Sequence, residues 1–202
     1  EPIDPVRFLS NRSSGRMGYA LAEVAAERGH EVILVSGPVA LPPPASVHVL
    51  PVETAGEMFA AVERQIADCD CAIFCAAVSD YRVASVPGSK IKKSGDALTL
   101  TLEENPDILG SARTRFGFEG LLVGFAAETD NLEENARGKL ERKGCDLLVA
   151  NDVGRSDIGF DREENEVTLF FRSGETRPLA RGAKREIAER ILDTIDELAR
   201  IG

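Results

Sequence analysis

Cys71-Ala-Ile-Phe74-Cys75-Ala76-Ala-Val78-Ser-Asp80-Tyr-Arg-Val-Ala-Ser-Val-Pro87-Gly88-Ser-Lys90-Ile-Lys92-Lys93 is the stretch from which the fold can be read. Its first eight residues, Cys71 to Val78, are all apolar, which predicts a strand buried on both faces of a parallel sheet. Asp80 follows the run, and in open α/β sheets ligands bind just beyond the carboxyl ends of the strands. A Pro87-Gly88 turn and three lysines in four positions come next. Together they suggest a nucleotide site with a mobile basic lid over residues 82–95. The same residues also suit a plainer role, with Asp80 capping a turn and the lysines on a solvated face.

Working outward, small polar residues and glycine in Asn11-Arg12-Ser13-Ser14-Gly15-Arg16-Met17-Gly18 precede a helical pattern that runs to Gly29. A helix start of this kind exposes free backbone N–H groups to an anion, with Ser13 or Ser14 as candidate N-cap. The spacing Gly15-x-x-Gly18 is not that of a dinucleotide fingerprint. Glu31–Ser36 and Val47–Val52 read as short strands, and Thr54–Asp68 reads as an amphipathic helix carrying Met58, Val62 and Ile66. On the other side, Ala97–Leu102 alternates as a half-exposed strand and Asn105-Pro106-Asp107 opens a helix. Leu121–Ala127 is a strand, Leu132–Lys143 a charged helix, and Asp146–Ala150 a strand. Val167–Phe171 and Thr176–Leu179 form a hairpin about Ser173-Gly174. Residues 184–201 end the chain as a helix with an Ile187, Ile191, Ile195, Leu198 stripe. Gly154–Glu164 is polar enough to be a mobile loop. Strands alternating with helices predict an α/β fold, a doubly wound and mostly parallel sheet.

The composition, 43% hydrophobic and 29% charged over 202 residues, supports one domain with a real core. A net charge of −10 excludes a general nucleic-acid or anionic-membrane binder, though a local cluster of cations can still receive a small anion. No apolar run approaches the roughly 20 residues of a membrane span. The start of the chain has no signal-peptide pattern, so a cytoplasmic location is expected. Cys69, Cys71, Cys75 and Cys145, with only two histidines and no C-x-x-C, predict reduced structural thiols rather than a zinc site.

Three strands thus end in polar groups at one rim: Asp80, Glu128 and Asn151-Asp152. Lys90, Lys92, Lys93, Lys139 and Lys143 stand around it, with Arg7, Arg12 and Arg16 near the first helix. So many cations on an acidic chain favour a site where two anionic ligands meet.

Six segments now carry a resemblance. They are Asp4–Gly18, Ala76–Arg82, Lys90–Lys93, Asn105–Ile108, Gly124–Thr129 and Asn151-Asp152. In this order they resemble phosphopantothenoylcysteine synthetase (phosphopantothenate–cysteine ligase), and the likeness covers essentially the whole chain. The resemblance implies a Rossmann-like fold with a β-hairpin extension that joins two subunits as a homodimer. It implies Mg2+, with no ligand set identified, and CTP as co-substrate beside 4′-phosphopantothenate and L-cysteine. The family carries a strand and a Gly-Gly-Thr loop immediately before the segment at Glu1, so a single ligase domain over 1–202 lacking those is expected. A flavin-dependent phosphopantothenoylcysteine decarboxylase domain is expected on the same full-length chain.

By position, the family's nucleotide contacts fall on Phe74, Cys75, Ala76, Asp80, Lys90, Pro106, Asp107, Ile108, Leu109, Phe125, Lys139 and Lys143. Its acyl-substrate side falls on Arg7, Asn11, Ser14 and Gly15. Asn11 and Lys90 take the catalytic roles. Lys90 neutralises charge in phosphoryl transfer, and the Asn11 amide donates to the oxyanion formed when cysteine attacks. Asp80 suits a ribose hydroxyl or an exocyclic amine, and Lys92 and Lys93 are charge background. Two rivals remain: a nicotinamide-dependent reductase, for which G-x-G-x-x-G is missing, and a nucleotide-binding module without chemistry.

Overall fold

A computed structural model describes residues 1–95, 97–128, 130–152 and 164–200. Most of the loop expected at Gly154–Glu164 lies outside the described residues, as does Thr129.

Helix α1 (Arg16–Glu27) begins at Gly15, whose φ of 75° places it in the left-handed region open to glycine. A Cβ there would lie 2.6 Å from Val39 Cγ1. Gly15 therefore takes the N-cap position expected for Ser13 or Ser14. Strands β1 (Ile33–Ser36) and β2 (His48–Pro51) pair in parallel as a two-stranded sheet. Helix α2 (Ala55–Gln65) opens on a capping box, Thr54 Oγ1 accepting from Glu57 N while Glu57 accepts from Thr54 N. Loss of such a cap costs roughly 1 kcal/mol. A single 3₁₀ turn, Ile66–Asp68, ends it.

The main sheet has the order β3 (Cys71–Phe74), β6 (Leu121–Glu128), β7 (Leu147–Asp152), β8 (Glu164–Phe171), β9 (Thr176–Ala183). β3, β6 and β7 run parallel, whereas β7–β8 and β8–β9 are antiparallel. Two expectations change. The sheet is mixed rather than mostly parallel, because the terminal hairpin β8–β9 adds to its edge. And β3 is four residues long, half-buried rather than buried on both faces, and among the described residues it pairs only with β6, at the edge of this sheet.

Period-two alternation in β6, β7 and β8 sends side chains to opposite faces. Val123, Leu147, Val149, Val167, Leu169 and Phe171 meet α1 and α5 (Lys184–Ala199), where Ile187, Ile191 and Ile195 are buried. Leu122, Ala126, Leu148, Ala150 and Phe170 meet α3 (Ile108–Thr114) and α4 (Leu132–Lys143) through Leu109, Ala112, Ala136 and Leu140. Helices cover both faces, and each fully buried Leu or Ile contributes about 1.5–3 kcal/mol. The stripe expected on α5 is the one buried, with Leu198 packed at its margin.

Strands β4 (Tyr81–Val83) and β5 (Leu102–Glu104) form a separate antiparallel ribbon. The strand expected at Ala97–Leu102 is thus displaced to residues 102–104, with Leu98 and Leu102 exposed. Of the residues 82–95 expected as a mobile lid, Arg82 and Val83 are paired strand residues.

Candidate functional site

The carboxyl ends of the three parallel strands share one rim, as registers Phe74↔Gly124, Ala127↔Asn151 and Glu128↔Asp152 require. Onto it come loops from distant parts of the chain. Asn11 Nδ2 donates to Ala77 O at 2.7 Å, fixing the loop before α1 against the loop after β3. Asn105 closes the other side: its Nδ2 donates to Ser79 O at 2.9 Å and its backbone N–H to Asp80 O at 2.8 Å. Arg82 Nη1 in turn donates to Asn105 Oδ1 at 3.1 Å. The Asp80 carboxylate stays exposed.

Asp107 is the N-cap of α3, accepting from Gly110 N at 2.9 Å, so Pro106 lies before the cap and not in the first turn. A Cβ at position 110 would stand 2.2 Å from Asp107 Oδ2, so a larger residue there would have to displace the capping carboxylate. One turn apart on α4, Lys143 pairs with Asp107 and Lys139 Nζ donates to Phe125 O at 2.8 Å. Burial raises the Asp107 carboxyl, but the Lys143 ammonium and the Gly110 N–H outweigh it and hold it below its ordinary value. Lys139 is pushed down, first by burial and then by the charge of Lys143, against the pull of Glu128. Both lysines therefore stand at the rim already engaged, with N–H donors to spare.

The site residues expected from sequence divide accordingly. Asn11, Ala76, Asp80, Asp107, Lys139 and Lys143 come together at the rim. Ile108 and Leu109 are buried, so they can offer a ligand main chain only, whereas Phe74, Cys75 and Phe125 pack against the two cores while remaining partly exposed. Lys90 is exposed, as are Lys92 and Lys93, and its ammonium makes no hydrogen bond or ion pair among the described residues. Arg7, expected on the substrate side, spends its guanidinium on Asp4 and on Ile91 O. Asp4 and Asn105 are the residues that sequence reasoning passed over as site components. Their signal is a polar side chain flanked by proline in a loop, which marks a turn before it marks a site.

No cluster of three or more His, Cys, Asp or Glu side chains able to hold a metal occurs among the described residues. Among the described residues, protein side chains alone therefore do not form a Mg2+ cage. No helix among the described residues is long and apolar enough to cross a membrane.

Fold and rim define a class: an α/β domain with cations and amide donors gathered at the carboxyl ends of its parallel strands. Within that class the chain belongs to the family of DNA/pantothenate metabolism flavoprotein C-terminal domains, whose sequence model matches residues 1–198. It is 46% identical over 200 residues to the coenzyme A biosynthesis bifunctional protein CoaBC of Vibrio vulnificus (strain YJ016), covering 98% of this chain and 50% of that protein. The CoaBC of Escherichia coli (strain K12) is 47% identical over 199 residues, covering 96% and 48%. The chain thus spans about half the length of the curated relatives it matches. A crystal structure of the C-terminal domain of CoaBC superposes with a TM-score of 0.85 at 42% identity, covering 100% of this chain and 91% of that one.

Proposed function

We propose that the chain is a phosphopantothenate–cysteine ligase domain that uses CTP, one Rossmann-like unit over 1–202 working in coenzyme A biosynthesis. The observation that carries this reading is the convergence of separate segments on one rim, Asn11 on Ala77, Asn105 on Ser79-Asp80, and Lys139 and Lys143 on Phe125 and Asp107. Two anionic reactants have to meet in such an enzyme, and the rim gathers donors on a chain of charge −10.

In the first step the carboxylate of 4′-phosphopantothenate attacks the α-phosphorus of CTP, and pyrophosphate leaves. Lys139 and Lys143 sit where they can hold phosphates, and exposed Lys90 supplies positive charge as negative charge gathers at phosphorus. In the second step the cysteine amine attacks the acyl carbon, loses its proton, and CMP departs. One N–H of Asn11 is held by Ala77 O, which orients the second toward the new oxyanion. Asp80 accepts from the nucleoside. Mg2+, when present, would be carried by the triphosphate. The domain acts as a homodimer and, in the full-length protein, beside a flavin-dependent decarboxylase domain.

Pyrophosphate release from CTP tests the reading. Release that depends on phosphopantothenate, followed by cysteine-dependent CMP, is the expected outcome. A change in nicotinamide absorbance would favour a reductase, and nucleotide binding without turnover a binding module.

A further inference from the structure

Residues 1–9 form a small hairpin, with Pro2 bridged to Phe8 and Ile3 N donating to Arg7 O at 2.8 Å. Asp4, at its turn, is 2% exposed although it is charged and lies in a loop. Buried carboxylates of this kind persist only when fully hydrogen-bonded. Asp4 Oδ1 accepts from the backbone N–H groups of Val6 and Arg7, both at 2.9 Å. Its Oδ2 accepts from Arg7 Nε at 3.0 Å and Nη2 at 2.5 Å.

The last bond to Oδ2 comes from a different part of the chain. Ile91 N donates to it at 3.0 Å, and Arg7 Nη2 donates to Ile91 O at 3.1 Å. Both backbone polar groups of one residue are thus held by one carboxylate–guanidinium pair. That residue adjoins Lys90, whose own side chain is exposed and makes no contact that would fix its place.

We propose that the Asp4–Arg7 pair is a latch that positions Lys90 by gripping the backbone of Ile91. The consequence for catalysis rests on the role of Lys90 proposed above, whereas the grip itself does not. Asp4 and Arg7 are then positioning residues, and Arg7 reaches the reaction through the lid rather than through the acyl substrate. The arrangement suits its task, because Arg7 Nε and Nη2 converge on Asp4 Oδ2 while Nη2 also reaches Ile91 O, and charge-assisted bonds from one planar group fix direction as well as distance. It also makes Asp4 distinct from a mere turn former. Its Oδ1 suffices for the turn, and only Oδ2 reaches the lid.

Asp4→Asn separates those two functions. The side-chain oxygen can still take the two turn amides, while the NH2 group faces the N–H groups of Arg7 and Ile91 and repels them. Arg7→Lys is the milder second variant, retaining charge and losing the fork. Hydrogen exchange at the Ile91 amide should accelerate at least about tenfold in Asp4→Asn, with core amides such as Leu148 unchanged. CTP-dependent pyrophosphate release should fall by about tenfold or more with Lys90 present, and by less than about twofold in Lys90→Gln, because misplacing an absent charge has no effect. Arg7→Lys should follow the same pattern with smaller changes. Unchanged Ile91 exchange in both variants overturns the latch. Equal losses with and without Lys90 overturn the positioning role. A fully active Lys90→Gln refutes instead the role of Lys90, and Ile91 exchange still decides whether the grip exists.

Discussion

Asn11 and Lys90 occupy opposite situations, and their contacts predict different defects. Asn11 is pinned to Ala77 O at 2.7 Å beside the rim, an uncharged donor in a fixed direction. Lys90 is a free point charge on a segment held at the next residue. The first half-reaction brings a carboxylate to a triphosphate, so positive charge is what it lacks. The second brings a neutral amine to an activated acyl group, and the new charge sits on one oxygen, which a neutral amide can satisfy. Lys90→Gln should therefore lose pyrophosphate release by roughly 10²-fold, the scale seen for single transition-state donors. Asn11→Asp should still release pyrophosphate but turn over cysteine poorly, because it sets an anion beside the oxyanion. Following both products in both variants decides it: equal loss of both products in both variants refutes the division.

At the scale of elements, long periodic segments were legible and edges were not. Helix α4 spans Leu132–Lys143 as expected from its charge pattern, and Gly144 caps its end at φ 65°. β3 was over-read, because an apolar run shows that a segment avoids water and not how many neighbours pair with it. The hairpin β8–β9 shows the same limit. Its apolar residues were expected at a subunit edge; Val167, Leu169, Phe170 and Phe171 are buried between β7, β9 and the helices, and β9 is the strand at the edge of the sheet. Apolarity came from the core. Of the rim, the lysines and Asn11 were readable from their motifs, while Asp4 was not, since a bond to Ile91 across 87 positions leaves no local trace.

The ribbon β4–β5 is a second candidate for the dimer contact, beside the hairpin edge at β9. Two three-residue strands that, among the described residues, pair only with each other are marginal in water. Their exposed Tyr81 and Leu102, with Val86 and Leu98 nearby in sequence, are apolar surface without a cover in the described chain. Pairing with the same ribbon of a second copy would supply both strands and burial. Light scattering at micromolar concentration should give a dimer for the parent and a monomer for Leu102→Glu. A parent monomer, or a Leu102→Glu dimer, removes the ribbon from consideration.

Charge and burial act together across the whole molecule, and they predict an alkaline limit to its stability. Burial pushes the Cys71 and Cys75 thiols up to about 12 and the Cys145 thiol up to about 11. An unfolded thiol titrates near 8.5. Below that pH both states hold the proton and the stabilisation is fully present. Above it the unfolded chain releases protons that the folded chain keeps, so stability falls as pH rises towards the folded values. The net charge of −10 pulls the same way, through self-repulsion of the compact state. The two causes can be separated at Cys145, which is wholly inaccessible and whose Sγ would lie 3.1 Å from a Cβ at Gly124. Cys145→Ala removes one titrating thiol and leaves the charge at neutral pH as it was. Urea unfolding free energy should decline between pH 8.5 and 10 in the parent. In Cys145→Ala it should start lower, because a buried sulfur is lost, and decline less steeply, by up to about 1.4 kcal/mol per pH unit for one proton. Salt should lift both curves alike without closing the difference in slope, since a screened surface does not reach a buried thiol. Parallel curves for parent and variant would remove the Cys145 thiol as a cause of the alkaline loss.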